Sequence, residues 1–326
     1  MEFRQLGRSG LKVSAVGLGC NNFGMIIDQA ATNTVVDTAI DAGITLFDTA
    51  DVYGRPNLGG SEIFLGKALG ARRKQVLVAT KFGMPMGDSW DLQGGGSRDT
   101  VMRAAEASLK RLGTDYIDLY QLHAPDPQTP IEETLRALDD LVRQGKVRYI
   151  GHSNFIGWQT SDAAWTARVN NLTPFVSAQN RYSVLSRMIE SDLVPGCIAH
   201  GVGLLPYFPL ESGLLTGKYK QKAAPPAGTR YAAWANRGPA MTDRFFSDDK
   251  IAVAEQLGAI AGETGGTALD LAFGWLLSKS YVSSVIAGAT KPEQIASNVK
   301  AGTWRPNADQ LKRIDELSPP PAKIGF

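Results

Sequence analysis

Four side chains that could move a proton lie at the ends of predicted strands. The apolar run over residues 44–47 stops at Asp48, and Tyr53 follows five residues later. Lys81 ends a second apolar run, and His123 ends a third. A lysine ammonium beside a phenol favours the phenolate, so we expect the pKa of Tyr53 to fall below about 10. Asp48 would be the counter-ion of Lys81, and the phenol would be a general acid towards an oxygen atom.

Each of these residues also has an ordinary structural interpretation. Asp48 could cap the segment that follows it, Lys81 could extend along apolar surface to the rim, and His123 could be a hydrogen-bonded core histidine. The set as a whole favours a functional interpretation, because burying several polar groups costs free energy unless they pair. In that interpretation, His123 would orient a carbonyl oxygen by a hydrogen bond.

The elements that must position these side chains alternate along the chain. Eight short apolar runs, rich in β-branched residues, are separated by amphipathic stretches with helical spacing. The runs cover residues 13–19, 44–49, 76–81, 117–123, 149–154, 175–180, 203–207 and 282–288. Repeated strand–helix units predict right-handed crossovers and a parallel sheet, and eight of them predict a closed (β/α)8 TIM barrel. Active sites of such barrels lie at the carboxyl ends of the strands.

Three segments depart from the regular alternation. Residues 1–13 predict a β-hairpin with its turn at residues 8–10. Residues 211–247 form a long loop after the seventh strand, and residues 307–317 predict an extra C-terminal helix. Long loops on the catalytic face usually cover ligands. We interpret residues 1–326 as a single domain, and we expect Thr32 or Asn33 to cap the first helix.

Composition excludes several classes of protein. The 326 residues carry a formal net charge of +2, which gives no electrostatic basis for binding nucleic acid or an anionic membrane. There is no apolar signal region and no run long enough to span a bilayer. Two cysteines, Cys20 and Cys197, make no disulfide framework, so we expect a cytoplasmic location. Three histidines and no C-x-x-C pair predict no metal site.

Three motifs carry a resemblance to a known family. Residues 48–54 read D-T-A-D-V-Y-G, residues 80–81 read T-K, and residues 110–123 read KRLGTDYIDLYQLH. In this combination the chain resembles the aldo-keto reductases over nearly its whole length, including the members related to potassium-channel beta subunits. The resemblance implies a catalytic tetrad of Asp48, Tyr53, Lys81 and His123. It also implies hydride transfer from NADPH to an aldehyde or ketone, since no amino acid side chain supplies hydride.

The resemblance also implies where NADPH/NADP+ would bind across the barrel mouth. Ser153, Asn154 and Gln179 would hold the carboxamide, which needs both donors and acceptors. Tyr207 would stack on the nicotinamide ring. The remaining expected contacts are to the pyrophosphate, the 2′-phosphate and the adenine, and they involve Leu210, Ser212, Leu214, Lys218, Gly288, Thr290, Lys291, Gln294 and Asn298. The cation Lys291, near a predicted helix N-terminus, favours NADPH over NADH.

The substrate is less clearly specified. Apolar and aromatic side chains near the expected pocket predict aldehydes or ketones with apolar groups, although sugars remain open; these side chains are Phe23, Val52, Phe82, Trp90, Tyr231 and Trp234. One alternative is a cofactor-sensing regulatory protein with little turnover. Another is an aldolase or lyase that forms a Schiff base on Lys81, which Asp48 disfavours by keeping the lysine protonated. The sequence leaves the oligomeric state open.

Overall fold

An antiparallel hairpin begins the chain. The structure is a computed structural model and describes residues 1–89, 92–235, 242 and 246–322. Strand β1 (Phe3–Gln5) pairs with β2 (Lys12–Ser14), and Phe3 lies opposite Ser14. The turn between the two strands includes residues 8–10, so the predicted hairpin is confirmed.

Eight parallel strands form the central sheet. They are β3 (Val16–Gly19), β4 (Leu46–Asp48), β5 (Leu77–Phe82), β6 (Ile117–Leu122), β7 (Val147–Ser153), β8 (Ser177–Gln179), β9 (Gly203–Leu204) and β10 (Val285–Gly288). Their order is β10-β3-β4-β5-β6-β7-β8-β9, with every neighbouring pair parallel. A parallel bridge from Leu204 to Val282 joins the β9 edge to the segment before β10. The sheet therefore closes on itself, which confirms the (β/α)8 barrel.

Helices follow the strands and pack on the outside of the sheet. They are α1 (Gln29–Asp41), α2 (Gly60–Leu69), α3 (Arg98–Leu112), α4 (Ile131–Arg143), α5 (Gly157–Val169), α6 (Leu193–His200), α7 (Arg230–Ala235), α8 (Asp248–Gly262), α9 (Ala268–Leu277), α10 (Pro292–Ala301) and α11 (Ala308–Leu317). The last of these is the predicted extra helix. Among the described residues, no helix combines the length and apolarity needed to cross a membrane.

The first helix begins earlier than the sequence suggested. Its N-cap is Asp28, whose carboxylate accepts a hydrogen bond from the Ala31 N–H at 2.9 Å. Thr32 lies inside the helix, where its hydroxyl donates to the Asp28 carbonyl at 2.7 Å. The prediction that Thr32 or Asn33 caps this helix was wrong, because three helical residues precede Thr32 and carry little apolar periodicity of their own.

The barrel interior changes from apolar to polar along each strand. Inward-facing Leu46, Ala79 and Leu119 belong to a buried cluster that the hairpin closes with Leu6 and Val13. Because side chains on a strand alternate between faces, the next inward positions are two residues further on. Those positions are Asp48, Lys81 and Gln121, and all three are buried. The alternation of side chains along the strands therefore places these polar groups at the end of the barrel opposite the hairpin.

Candidate active site

Asp48, Lys81 and Tyr53 form a buried chain of contacts. The Lys81 side chain is fully buried, and its Nζ donates to Asp48 Oδ2 at 2.7 Å and to the Thr49 carbonyl at 2.8 Å. The phenol oxygen of Tyr53 lies 3.5 Å from the same Nζ. One ammonium group thus contacts both a carboxylate and a phenol, as the sequence predicted.

Among these three contacting residues, the pKa of Tyr53 differs from the expectation based on the sequence. Burial alone would lower the pKa of Lys81, but Asp48 and Tyr53 raise it above its ordinary value, so the side chain is a cation. Burial raises the pKa of Tyr53, and the nearby Lys81 only partly offsets that effect. The expected fall in the Tyr53 pKa was therefore wrong for this structure, because desolvation of the phenolate outweighs the attraction of the ammonium.

His123 lies edge-on to Tyr53, with ring centroids 5.8 Å apart. Burial and the positive charge of Lys81 lower the pKa of His123 to about 3. The imidazole is therefore neutral at physiological pH. Its Nδ1 is buried and has no hydrogen-bond partner among the described residues. A neutral imidazole in this position can donate from one ring nitrogen and accept at the other.

Two glutamine amides hold the second oxygen of Asp48. Gln179 Nε2 donates to Asp48 Oδ1 at 2.8 Å, and Gln121 Nε2 lies 3.4 Å from the same atom. Gln179 is one of the predicted cofactor residues, whereas Gln121 was missed by the sequence reasoning. The signal that could have found it is the strand period, since Gln121 is the inward position two residues before His123.

The predicted carboxamide site is connected to His123. Asn154 has a left-handed backbone with φ of 61°, and its Nδ2 donates to the His123 carbonyl at 2.9 Å. Its Oδ1 accepts a hydrogen bond from the Tyr207 hydroxyl at 2.7 Å. Ser153 Oγ donates to the Gln179 carbonyl at 2.7 Å. The structure thus brings Ser153, Asn154, Gln179 and Tyr207 together beside the tetrad.

The predicted pyrophosphate loop is held in an unusual backbone conformation. Glu211 and Ser212 have φ of 45° and 59°, and residues 211–216 form a distorted 3₁₀ turn. The buried Glu211 carboxylate accepts from Ser183 Oγ at 2.7 Å and pairs with Arg181. Ser212 Oγ is buried without a hydrogen-bond partner among the described residues. The Glu211 contacts hold the loop in place, and the unpaired Ser212 hydroxyl is suited to a polar ligand such as a phosphate.

Two cations lie close together near this loop. Burial and the neighbouring Arg230 lower the pKa of Lys218, and burial lowers the pKa of Arg230. In the part of the chain that the structure describes, neither cation forms a salt bridge with a carboxylate. Paired cations without a counter-ion favour a bound anion. Lys218 was predicted from the sequence, whereas Arg230 was not, because it is twelve residues further on and follows no recognisable phosphate motif.

The remaining predicted cofactor residues surround the start of α10. Lys291 is exposed and is the N-cap, with Pro292 in the first turn. Gln294 Oε1 accepts from the Thr290 N–H at 2.7 Å. Asn298 is buried one turn further on, whereas Gln294 is exposed. Of the other three predicted positions, Leu210 is half-buried, Leu214 is buried and Gly288 is exposed at the end of β10.

The predicted substrate residues that the structure describes lie in different surroundings. Phe23 is fully buried, as is Phe82, which stacks on Tyr120 at 4.6 Å on the helix-facing side of the sheet. Both Phe23 and Phe82 belong to the main hydrophobic core. Phe82 faces outward because positions on β5 alternate with the inward Lys81. Val52 is half-buried beside Tyr53. Tyr231 and Trp234 pack on Phe246, at 4.5 Å and 5.9 Å, and Trp90 lies outside the described residues.

Comparison with known proteins identifies the family of this chain. The model of the Aldo/keto reductase family matches residues 15–319, so the chain belongs to that family. A protein of Schizosaccharomyces pombe described as a voltage-gated potassium channel subunit beta is 37% identical over 97% of this chain and 92% of its own length. An uncharacterized oxidoreductase of Bacillus subtilis is 35% identical, over 98% and 97%. The L-glyceraldehyde 3-phosphate reductase of Escherichia coli is 33% identical, over 97% and 92%.

Proposed function

We propose that this protein is an NADPH-dependent oxidoreductase that reduces aldehydes or ketones to alcohols. The observation that carries the proposal is the buried contact chain from Asp48 through Lys81 to Tyr53, beside a neutral His123. A cation that is fixed by a carboxylate and lies next to a phenol can stabilise the phenolate that forms when the phenol gives up its proton.

The proton follows a short path. The reduced nicotinamide, when bound, supplies hydride to the carbonyl carbon. Tyr53 donates its phenolic proton to the carbonyl oxygen, and the phenolate that remains lies 3.5 Å from the Lys81 ammonium. The neutral His123 orients the oxygen by a hydrogen bond. Tyr53 then recovers its proton from solvent, and Asp48 keeps Lys81 protonated throughout.

The cofactor would be held by groups that match its chemistry. Amide and hydroxyl groups of Ser153, Asn154 and Gln179 suit the carboxamide, and the Tyr207 ring suits the nicotinamide. The cations Lys218 and Arg230, with the unpaired Ser212 hydroxyl, suit the pyrophosphate. Thr290 and the exposed Lys291 at the start of α10 suit a 2′-phosphate, which is our reason for proposing NADPH rather than NADH.

Two other functions on the same fold have different support. The name of the Schizosaccharomyces pombe relative, a potassium channel subunit, supports the regulatory protein as the second candidate. The aldolase hypothesis is weaker, because Asp48 raises the pKa of Lys81 and an ammonium is not a nucleophile. The name of the Escherichia coli relative adds small phosphorylated aldehydes to the substrates worth testing, beside apolar aldehydes, ketones and sugars.

The test combines turnover with cofactor binding. NADPH consumption would be measured with a carbonyl panel, and NADPH and NADH affinity by fluorescence titration, for wild type, Tyr53→Phe and Tyr116→Phe. Tyr116 is a control because its ring lies between Arg73 and Arg148, before β6 begins. We expect Tyr53→Phe to bind NADPH like wild type and to lose at least about 100-fold in kcat. We expect Tyr116→Phe to keep full turnover.

Each other outcome of this test has a definite meaning. Unchanged turnover in Tyr53→Phe would refute the role of the phenol. Tight NADPH binding by wild type without turnover on any carbonyl would favour the sensing subunit. If wild type bound neither nucleotide, the assignment of the cofactor site would be wrong.

A further inference from the structure

The outer face of α5 carries aromatic residues where a surface helix usually carries polar ones. Trp158 is 62% exposed, Trp165 is 54% exposed and Val169 is 74% exposed. Their spacings of seven and four residues place them on one stripe of the helix. The opposite face of α5 packs inward through the buried Thr160, Ala163 and Ala167, so the stripe has no structural role in the core.

The two tryptophans supply most of the exposed apolar area of this stripe. The two tryptophans together expose roughly 250 Å², given the area that one such side chain can bury. On α6, which packs beside α5, Ile198 is also 60% exposed. The largest contiguous apolar patch on a soluble monomer is about 300–600 Å² and is often functional.

Two opposite charges flank Trp165 on the stripe. Asp162 lies three residues before Trp165, and Arg168 lies three residues after it with its guanidinium 5.2 Å from the Trp165 ring centroid. Both side chains are exposed. Neither Asp162 nor Arg168 has an ion-pair partner among the described residues. Most of the other arginines that the structure describes do form ion pairs. Among the described residues, the face therefore presents one acid and one base without ion-pair partners, each three positions along the helix from Trp165.

We propose that this face pairs with the same face of a second copy of the chain, about a two-fold axis near Trp165. In a two-fold interface every contact occurs twice, and residues at equal distances from the axis meet their opposites. Two antiparallel α5 helices would set Asp162 of each copy against Arg168 of the other, with the two Trp165 rings at the centre. A surface with complementary charges placed symmetrically in this way is complementary to itself, which is why a second copy fits better than an unrelated partner.

The composition of the face agrees with this assignment. Tryptophan and arginine are the residues most enriched where single side chains dominate binding energy. A standard interface buries about 800 Å² on each partner, so the stripe would be its centre, and α6 with Ile198 would supply part of the rim. None of the residues of the proposed active site lies on α5, so pairing through this face is independent of the proposed reaction.

Sedimentation velocity over a range of micromolar concentrations would test the proposal with the full chain. We expect wild type to show a reversible dimer and Trp165→Glu to weaken dimerisation at least about tenfold. Asp162→Arg and Arg168→Asp, made singly, should each weaken the dimer, because each places like charges opposite one another. The double variant carrying both changes should restore it, since the ion pairs then form with reversed polarity. Met188→Glu, at an exposed methionine outside the stripe, is the matched control and should change nothing.

Circular dichroism would first establish that every variant is folded, and the charge variants alter only exposed positions. A wild-type chain that stays monomeric over the whole concentration range would overturn the proposal and leave the face to a different partner. A dimer that is insensitive to Trp165→Glu, or a double charge variant no better than the single ones, would also overturn it.

Discussion

The reactivity of Tyr53 depends on two opposing effects on one phenol. Burial raises its pKa, while Lys81 favours the phenolate. For carbonyl reduction this balance is useful, because the residue must carry its proton until the substrate oxygen takes it. Lys81 then lies close enough to stabilise the product phenolate, and Asp48 keeps Lys81 in place. In the proposed mechanism, the Lys81 ammonium stabilises the phenolate once the proton has been transferred. It does not ionise the phenol before the substrate binds.

His123 leads to a prediction about pH. Because burial and Lys81 lower its pKa to about 3, the imidazole should stay neutral throughout the usual assay range. The kcat of carbonyl reduction should therefore show no acid-side inflection near 6.5, the ordinary value for histidine. Steady-state rates between about pH 5 and 8, for wild type and His123→Asn, would check this. An inflection near 6.5 that disappears in His123→Asn would show that the imidazole does become charged in the working enzyme.

At the scale of elements, the first turn of α2 holds the Tyr53 loop against the sheet. The Ser61 N–H donates to the Tyr53 carbonyl at 3.2 Å, and Ser61 Oγ donates to the Cys20 carbonyl at 2.7 Å. The same hydroxyl lies 2.8 Å from the Thr49 hydroxyl, and Thr49 supplies the carbonyl that Lys81 contacts. One buried serine thus connects β3, the end of β4 and the loop that carries the phenol.

We expect Ser61→Ala to misplace Tyr53 without disturbing the cofactor. Turnover should fall about tenfold, equivalent to about 1.4 kcal/mol of transition-state stabilisation, while the NADPH Kd stays as in wild type. Ser108→Ala is the matched control, because Ser108 is another buried serine and its Oγ accepts from Arg111 at 3.2 Å. Steady-state kinetics and fluorescence titration would separate the two effects. Equal kcat values for Ser61→Ala and wild type would argue against this positioning role.

The same elements show what the sequence could and could not predict. Strand ends were predictable, since an apolar run that stops at Asp48 or Lys81 marks both the strand and its polar mouth. Helix α1 was placed too late because its first turn, after Asp28, lacks apolar periodicity. Arg230 was missed because its proximity to Lys218 depends on how a long loop folds back. The direction of the Tyr53 pKa depends on burial, which local sequence does not specify.

At the scale of the whole molecule, a second group of charges lies buried between the sheet and the helices. Glu62 is fully buried, and its carboxylate accepts from Thr80 Oγ1 at 2.6 Å and from Arg111 Nε at 2.5 Å. Asp51 is also buried, and its Oδ1 has no hydrogen-bond partner within the described residues. Burial and the nearby Glu62 raise the pKa of Asp51 to about 8. Two carboxyl groups thus share one arginine, and the folded chain retains a proton on Asp51.

This retained proton predicts how stability depends on pH. Between the unfolded pKa of about 3.9 and the folded value of about 8, folding takes up a proton on Asp51, so its contribution to stability is greatest in acid and falls as pH rises. Asp51→Asn resembles the protonated acid and should lose this dependence. As pH rises, the unfolding free energy of Asp51→Asn should therefore increase relative to that of wild type, by up to about 1.4 kcal/mol per pH unit. The difference should level off above about pH 8.

Denaturant unfolding of wild type and Asp51→Asn, followed by fluorescence from about pH 5 to 9, would measure this difference. Asp41→Asn, at an exposed carboxylate that ends α1, is the control and should give an offset that does not vary over this range. Parallel curves for wild type and Asp51→Asn would mean that Asp51 is ionised in the folded chain. Arg111 would then have to neutralise both carboxylates, and the Tyr53 loop would tolerate a buried charge two residues from the phenol.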